Sequence, residues 1–166
     1  MKPHLPVLSL ALILFAAASA GETVKGSSFS AVFPCQTKLE KQFVAAGKLK
    51  VPVVARICEN KGALYYVVIS DFPKGFIAKK GVDSALTDAV SGAAANVKGT
   101  VRTNRPFLQG PVMGRDALID VPAQKASVHL RVFFAGDRQF QAMVVAPKGR
   151  EGNKAAMAFL NSFKLK

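Results

Sequence analysis

Along the chain the apolar positions alternate between two periods, and that switching predicts the elements. Ser28 to Phe33 puts Phe29, Ala31 and Phe33 on one side, the period-two signature of a half-buried strand, and Pro34 stops it. Lys38 to Lys48 is polar and mixed, with Gly47 as punctuation, and reads as part strand and part loop. Leu49 to Ile57 alternates again, with Val51, Val53, Ala55 and Ile57 on one face. Pro52 has no N–H to give to a ladder, so it marks an edge or a strand start. Glu59-Asn60-Lys61-Gly62 is a turn, and Leu64 to Ile69 returns as the hairpin partner. Asp71 to Lys80 reads as a loop around Pro73 and Gly75.

The period then lengthens. Leu86, Ala89, Val90, Ala93 and Val97 recur three and four residues apart, which predicts a helix from Asp83 to Val97. Asp83 or Ser84 can cap it, and Gly99 ends it. Its mostly Ala face suits close packing on a sheet. Strands follow at Thr100 to Asn104, Arg115 to Val121 and Ser127 to Phe134, the last with Val128, Leu130, Val132 and Phe134 on one side. Ala135-Gly136-Asp137-Arg138 is a tight turn into Phe140 to Ala146. A last helix runs from its cap Asn153 to Phe163, with Ala156, Phe159, Leu160 and Phe163 as its apolar stripe. Hairpins dominate, so the expected class is α+β, an antiparallel sheet flanked by helices, in one domain over residues 21–166.

The first 20 residues read as an address rather than structure. Lys2 gives a positive start, Leu5 to Ala18 is an apolar run, and Ala18-Ser19-Ala20 is a small-x-small cleavage site. The run is shorter than a spanning helix requires. The expectation is a cleaved secretory signal peptide, a periplasmic or secreted mature protein, and no membrane span after cleavage. In an oxidising compartment two thiols in a small domain usually pair. Cys35 and Cys58 are therefore expected to form a structural disulfide, closing a loop that removes roughly 3 kcal/mol of unfolded-state entropy. Their spacing is far from the C-x-x-C of redox centres.

Several segments together resemble the PsbP-like superfamily, which includes the photosystem II extrinsic protein and many secreted bacterial proteins. They are Phe29-Ser-Ala-Val-Phe-Pro34, Tyr66-Val-Val-Ile-Ser-Asp-Phe-Pro73, Gly114-Arg-Asp116, Arg131-Val-Phe-Phe134 and Phe159-Leu-Asn-Ser-Phe163. The resemblance covers most of the mature chain through strand patterns and turn residues. It implies an α/β/α sandwich and a non-catalytic role in binding or assembly. No catalytic residue carries over from it.

Catalytic motifs are missing as well. The mature chain has one His, His129, on the face of Ser127 and Arg131, and no G-x-S-x-G elbow. Asp116 and Asp120 share a strand face but stand about 13 Å apart by strand rise, too far for a carboxylate dyad. No metal-ligand spacing and no phosphate-cradling loop occurs, so neither a metal nor a cofactor is expected. An enzyme would need a cleft holding His129 with an acid and a hydroxyl.

Charge is what remains. The 166 residues hold 23 Lys and Arg against 10 Asp and Glu, a formal +13. Loss of the signal takes away one Lys and no acid, so the excess survives. The cations cluster as Lys38, Lys41, Lys48 and Lys50; as Lys74, Lys79 and Lys80; as Lys98, Arg102 and Arg105; and as Lys148, Arg150 and Lys154. Clusters that meet in space attract polyanions. Half the residues are hydrophobic, which excludes a disordered basic tail. The aromatics sit at core-type positions and there is no Trp, so nucleic acid is not an expected partner.

The leading expectation is a non-enzymatic envelope protein that binds or scaffolds an anionic partner. The candidates are anionic lipid, polysaccharide or an acidic protein, with Lys98, Arg102 and Arg105 as the binding residues. The alternative is a small-molecule binding protein with a pocket between the Ala-faced helix and the sheet.

Overall fold

The computed structural model describes residues 21–166; the expected signal segment over 1–20 lies outside them. The chain is mostly β. A short N-terminal pair, β1 (Glu22–Lys25) and β2 (Phe29–Phe33), is joined by the late strand β10 (Lys164–Leu165) in a three-stranded sheet. Seven longer strands form the main antiparallel sheet: β3 (Lys38–Ala46), β4 (Leu49–Asn60), β5 (Ala63–Asp71), β6 (Thr100–Gln109), β7 (Val112–Val121), β8 (Ala126–Ala135) and β9 (Arg138–Pro147). Their order is β3-β4-β5-β9-β8-β7-β6, so β3 and β6 are the edges. The α-helices are α1 (Phe76–Lys80), α2 (Val82–Asn96) and α3 (Lys154–Ser162).

β8, an inner strand next to the central β9, is buried on both sides. Its even-numbered residues Val128, Leu130, Val132 and Phe134 pack with Ala117, Ile119 and Val121 of β7 under Leu86 and Val90 of α2. Its odd-numbered Phe133 belongs to a second core, with Phe140 and Val144 of β9, Phe159 and Leu160 of α3, and Phe29 and Phe33 of β2. Alternation along one strand thus divides two cores between the two faces of the sheet. The Cys35–Cys58 disulfide is formed, with Cα atoms 5.8 Å apart, and fastens the end of β2 to β4.

The expected helix-flanked α+β sandwich is corrected here. Strand dominates, the α-helices are three and short, and one face of the main sheet packs against a second, three-stranded sheet together with α3. The physical reason is that segments read as loop are extended. β3 is strand throughout its nine residues although it carries no clean alternation. β6 continues through Pro106 because an edge strand tolerates the missing N–H. In the opposite sense, the expected loop over Asp71–Lys80 contains α1, and the Asp137 side chain accepts hydrogen bonds from the Gly75 and Ile77 N–H groups at its start.

Both long helices stand close to where the periodicity puts them. α3 begins at Asn153, whose Oδ1 accepts from Ala156 N at 2.9 Å. α2 starts after Gly81 with no side-chain cap, so neither Asp83 nor Ser84 caps it. It ends with Lys98 in the left-handed region, at φ 52°. Gly99 is needed for a different reason: a Cβ there would lie 2.6 Å from the Asp120 carbonyl oxygen, so the helix exit passes directly over β7.

Candidate functional site

Ser127, His129 and Arg131 of β8 point to the α3 side of the sheet, where Asp120, Leu118 and Asp116 of β7 lie opposite them in register. This builds a polar band across the sheet. Asp116 Oδ1 lies 2.9 Å from His129 Nε2, and its Oδ2 accepts from Arg131 Nε at 2.8 Å. An ionised carboxylate only accepts, so Nε2 carries the His129 proton. Arg131 also donates to Asn161 Oδ1 of α3 at 2.9 Å, and its guanidinium lies over the Phe107 ring at 4.3 Å. The neighbouring Ser127 hydroxyl donates to Asp120 at 3.1 Å. Arg102, at a bulge in β6, reaches Asp120 at 3.7 Å and pairs with Glu151.

His129 and Arg131 are each only 7% exposed. Burial pushes the Asp116 carboxyl up, but the hydrogen bonds from His129 and Arg131 outweigh it and hold the group below its ordinary value. Glu151 is lowered in the same way, burial being outweighed by Arg102 and by backbone N–H groups. Within the band Asp116, Asp120 and Glu151 face the guanidinium groups of Arg102 and Arg131, with His129 Nε2 as a further hydrogen-bond partner. Its chemistry is fastening, since it ties α3 and the turn before it to β6, β7 and β8. Ser127 and His129 bond to different acids and not to each other. The Nδ1 of His129 is buried without a partner.

The predicted binding residues take three different situations. Arg102 is held by Glu151 and Asp120. Lys98 is exposed at the exit of α2. Arg105 is exposed on β6, opposite Asp116 in register but outside ion-pair distance of any described acid. Arg102 sits where the β6–β7 register shifts, between Val101 and Thr103.

At the far edge of the same sheet the β3–β4 hairpin carries charge in another way. Its register gives it two faces. Val51, Val53 and Ala55 are buried on the inward one. On the outward one lie Leu39, Lys41 and Phe43 of β3 beside Lys50, Pro52 and Val54 of β4. Phe43 is 63% exposed and Leu39 51% exposed. The Lys50 ammonium stands 4.8 Å over the Phe43 ring. Pairing of β4 with β5 begins at Val53, so Leu49–Pro52 and the strand opposite form a tip beyond that ladder, turning at Gly47 with φ 63°. No acid occurs between Glu40 and Glu59. The basic cluster was legible in the sequence; the exposed Phe43 and Leu39 beside it were not, because an apolar residue in a mixed segment gives no sign of which way it faces.

A wider division underlies both sites. Arg56, Arg102, Arg115, Arg131 and Arg138 hold Glu22, Glu151, Asp83, Asp116 and Asp71 respectively. Among the described lysines only Lys80 pairs with an acid, Asp88.

A surface cavity of about 370 Å³ is lined by residues that include Asp71, Asp137, Arg138, Phe140 and Lys166, and a smaller one, of about 110 Å³, lies beside Tyr65, Arg150 and Asn153. Neither is lined by α2 or by His129. The contact between α2 and the sheet is filled by Leu86, Val90, Ile119, Leu130 and Val132, all fully buried. No described residues form a cluster of three or more His, Cys, Asp or Glu that would hold a metal ion. No described helix is long and apolar enough to cross a membrane. The chain matches no protein-family model and no curated protein.

Proposed function

We propose that the chain is an exported, non-enzymatic protein of the cell envelope that binds an anionic partner through a basic surface. The observation that carries this reading is the division of the cations. Arginines hold most of the acids, and nearly every described lysine is left facing solvent with no carboxylate beside it. A surface whose acids are already neutralised presents its lysines as net positive potential. Placement in the periplasm or outside the cell rests on the signal-like N-terminus and is compatible with the Cys35–Cys58 bond. The PsbP-like resemblance belongs to the same proposal and rests on the strand and turn segments alone.

The test is a salt titration of binding to a heparin-like polymer and to anionic vesicles, using disulfide-intact mature protein. Affinity is expected to fall steeply between low and high ionic strength, as screening shortens the range of the lysines. Binding that ignores salt, or no binding to any polyanion, overturns the reading.

A further inference from the structure

Scattered exposed apolar side chains are ordinary on a protein surface. The outward face of the β3–β4 hairpin differs in arrangement. Leu39 and Phe43 repeat on one side of an edge strand with Lys41 between them, Lys50 against the Phe43 ring and Lys48 at the turn. With about 3.3 Å of rise per residue, Leu39 and Phe43 stand about 13 Å apart, so the apolar points and the cations alternate along a narrow strip.

Three occupants suit an exposed edge strand, and the side chains discriminate among them. A second copy of the chain would bring two lysine-bearing edge strands together, and like charges facing each other across strands are destabilising. An acidic extended peptide would bond the strand edge and the lysines, but would leave Phe43, which stands off the sheet face, without a role. An anionic bilayer uses every element: lysines meet headgroup phosphates while apolar side chains enter the boundary beneath them. The absence of acid from Lys41 to Cys58 removes the charge that such a surface would repel.

We infer that the outward face of the β3–β4 hairpin docks on anionic phospholipid surfaces, with Phe43 and Leu39 entering the headgroup boundary and Lys41, Lys48 and Lys50 against the phosphates. This rests on the anionic-partner reading and narrows it to a bilayer. With two apolar side chains and three cations the contact is peripheral and reversible, not an anchor.

The experiment uses the mature chain and two kinds of vesicle, phosphatidylcholine alone and phosphatidylcholine mixed with phosphatidylglycerol. The chain contains no Trp, so Phe43→Trp introduces a single tryptophan, which can be excited apart from the two Tyr. Its emission is expected to shift to the blue with the anionic vesicles and to stay unchanged with the neutral ones. In co-sedimentation, Phe43→Ser is expected to weaken binding about tenfold. Lys48→Glu combined with Lys50→Glu should weaken it by about tenfold or more. A control pair with the same total charge, Lys125→Glu with Lys154→Glu, is expected to lose less than about threefold. Circular dichroism and the thermal midpoint check that each variant is folded. Equal losses in both charge pairs, or no effect of Phe43→Ser, overturn the hairpin site while leaving the anionic-partner reading standing. Binding to acidic polypeptide or heparin without binding to vesicles also overturns it, in favour of a soluble partner. No binding to any of these overturns the broader reading together with it.

Discussion

The two edges of the main sheet use charge in opposite ways. Beside β6, Arg102 and Arg131 are folded over acids, and the buried His129 completes a network that holds α3 to the sheet. Along β3, lysines stand beside exposed apolar side chains and no acid answers Lys41, Lys48 or Lys50. The difference follows from the side chains. A guanidinium has a planar fork that pairs with a carboxylate through two hydrogen bonds, so it fits inside a network. An ammonium on a long flexible stem is strongly hydrated and favours the water-facing edge. Net charge alone does not tell a binding surface from an internal fastening; the choice of cation and its burial do.

The comparison breaks most visibly at Asp116. Its removal leaves the His129 ring and the Arg131 guanidinium buried without their acceptor. Asp116→Ala is therefore expected to cost about 3 kcal/mol in urea unfolding and to leave polyanion binding unchanged. A loss of binding in folded protein would show that the band takes part in recognition.

Acid gives a gentler version of the same cut. The Asp116 carboxyl titrates below its ordinary value of 3.8 in the folded protein, because the His129 and Arg131 hydrogen bonds outweigh its burial. Its contribution is fully present above pH 3.8, declines as pH falls below that value, and is gone beneath the folded value. Denaturation midpoints measured down through this window should fall less steeply for Asp116→Asn, which has no proton to take up there.

The smallest change in stability is expected at the other edge. Lys41→Gln, Lys48→Gln and Lys50→Gln should each move unfolding by no more than about 0.5 kcal/mol, since none pairs with an acid and the Lys50–Phe43 contact is exposed. Their effect should appear in the salt dependence of binding instead. A larger loss of stability would mean that the hairpin tip is packed rather than presented.

Much of this was legible in the chain, for identifiable reasons. β8 and α3 announced themselves because Val128, Leu130, Val132 and Phe134, and then Ala156, Phe159, Leu160 and Phe163, each keep one clean period. The disulfide followed from the expected compartment. β3 was obscured because neither of its faces is consistently apolar, and β1 and β10 because strands of four and two residues carry no period at all. Those omissions turned an expected helix-flanked sandwich into a mostly β protein. The alternation put His129 on the face of Ser127 and Arg131 but gave no sign of its burial, which the Asp116 carboxylate makes tolerable by bonding Nε2. Pairing of Arg102 with Glu151 spans 49 residues of sequence and leaves no local trace.

The three-stranded sheet has a consequence for the order of events in folding. β10 pairs with β2, and Val32 N–H donates to Ser162 Oγ across 130 residues of chain. The two ends of the domain thus clasp each other, and β2 has its full set of neighbours only after the last helix has been made. Closure of this kind is slow, because the entropy of a long loop is lost before its contacts are gained. The seven strands of the main sheet all lie between Lys38 and Pro147, so that sheet can form before β10 is available, and the clasp of β2 by β10 is the closing step that seals the second core.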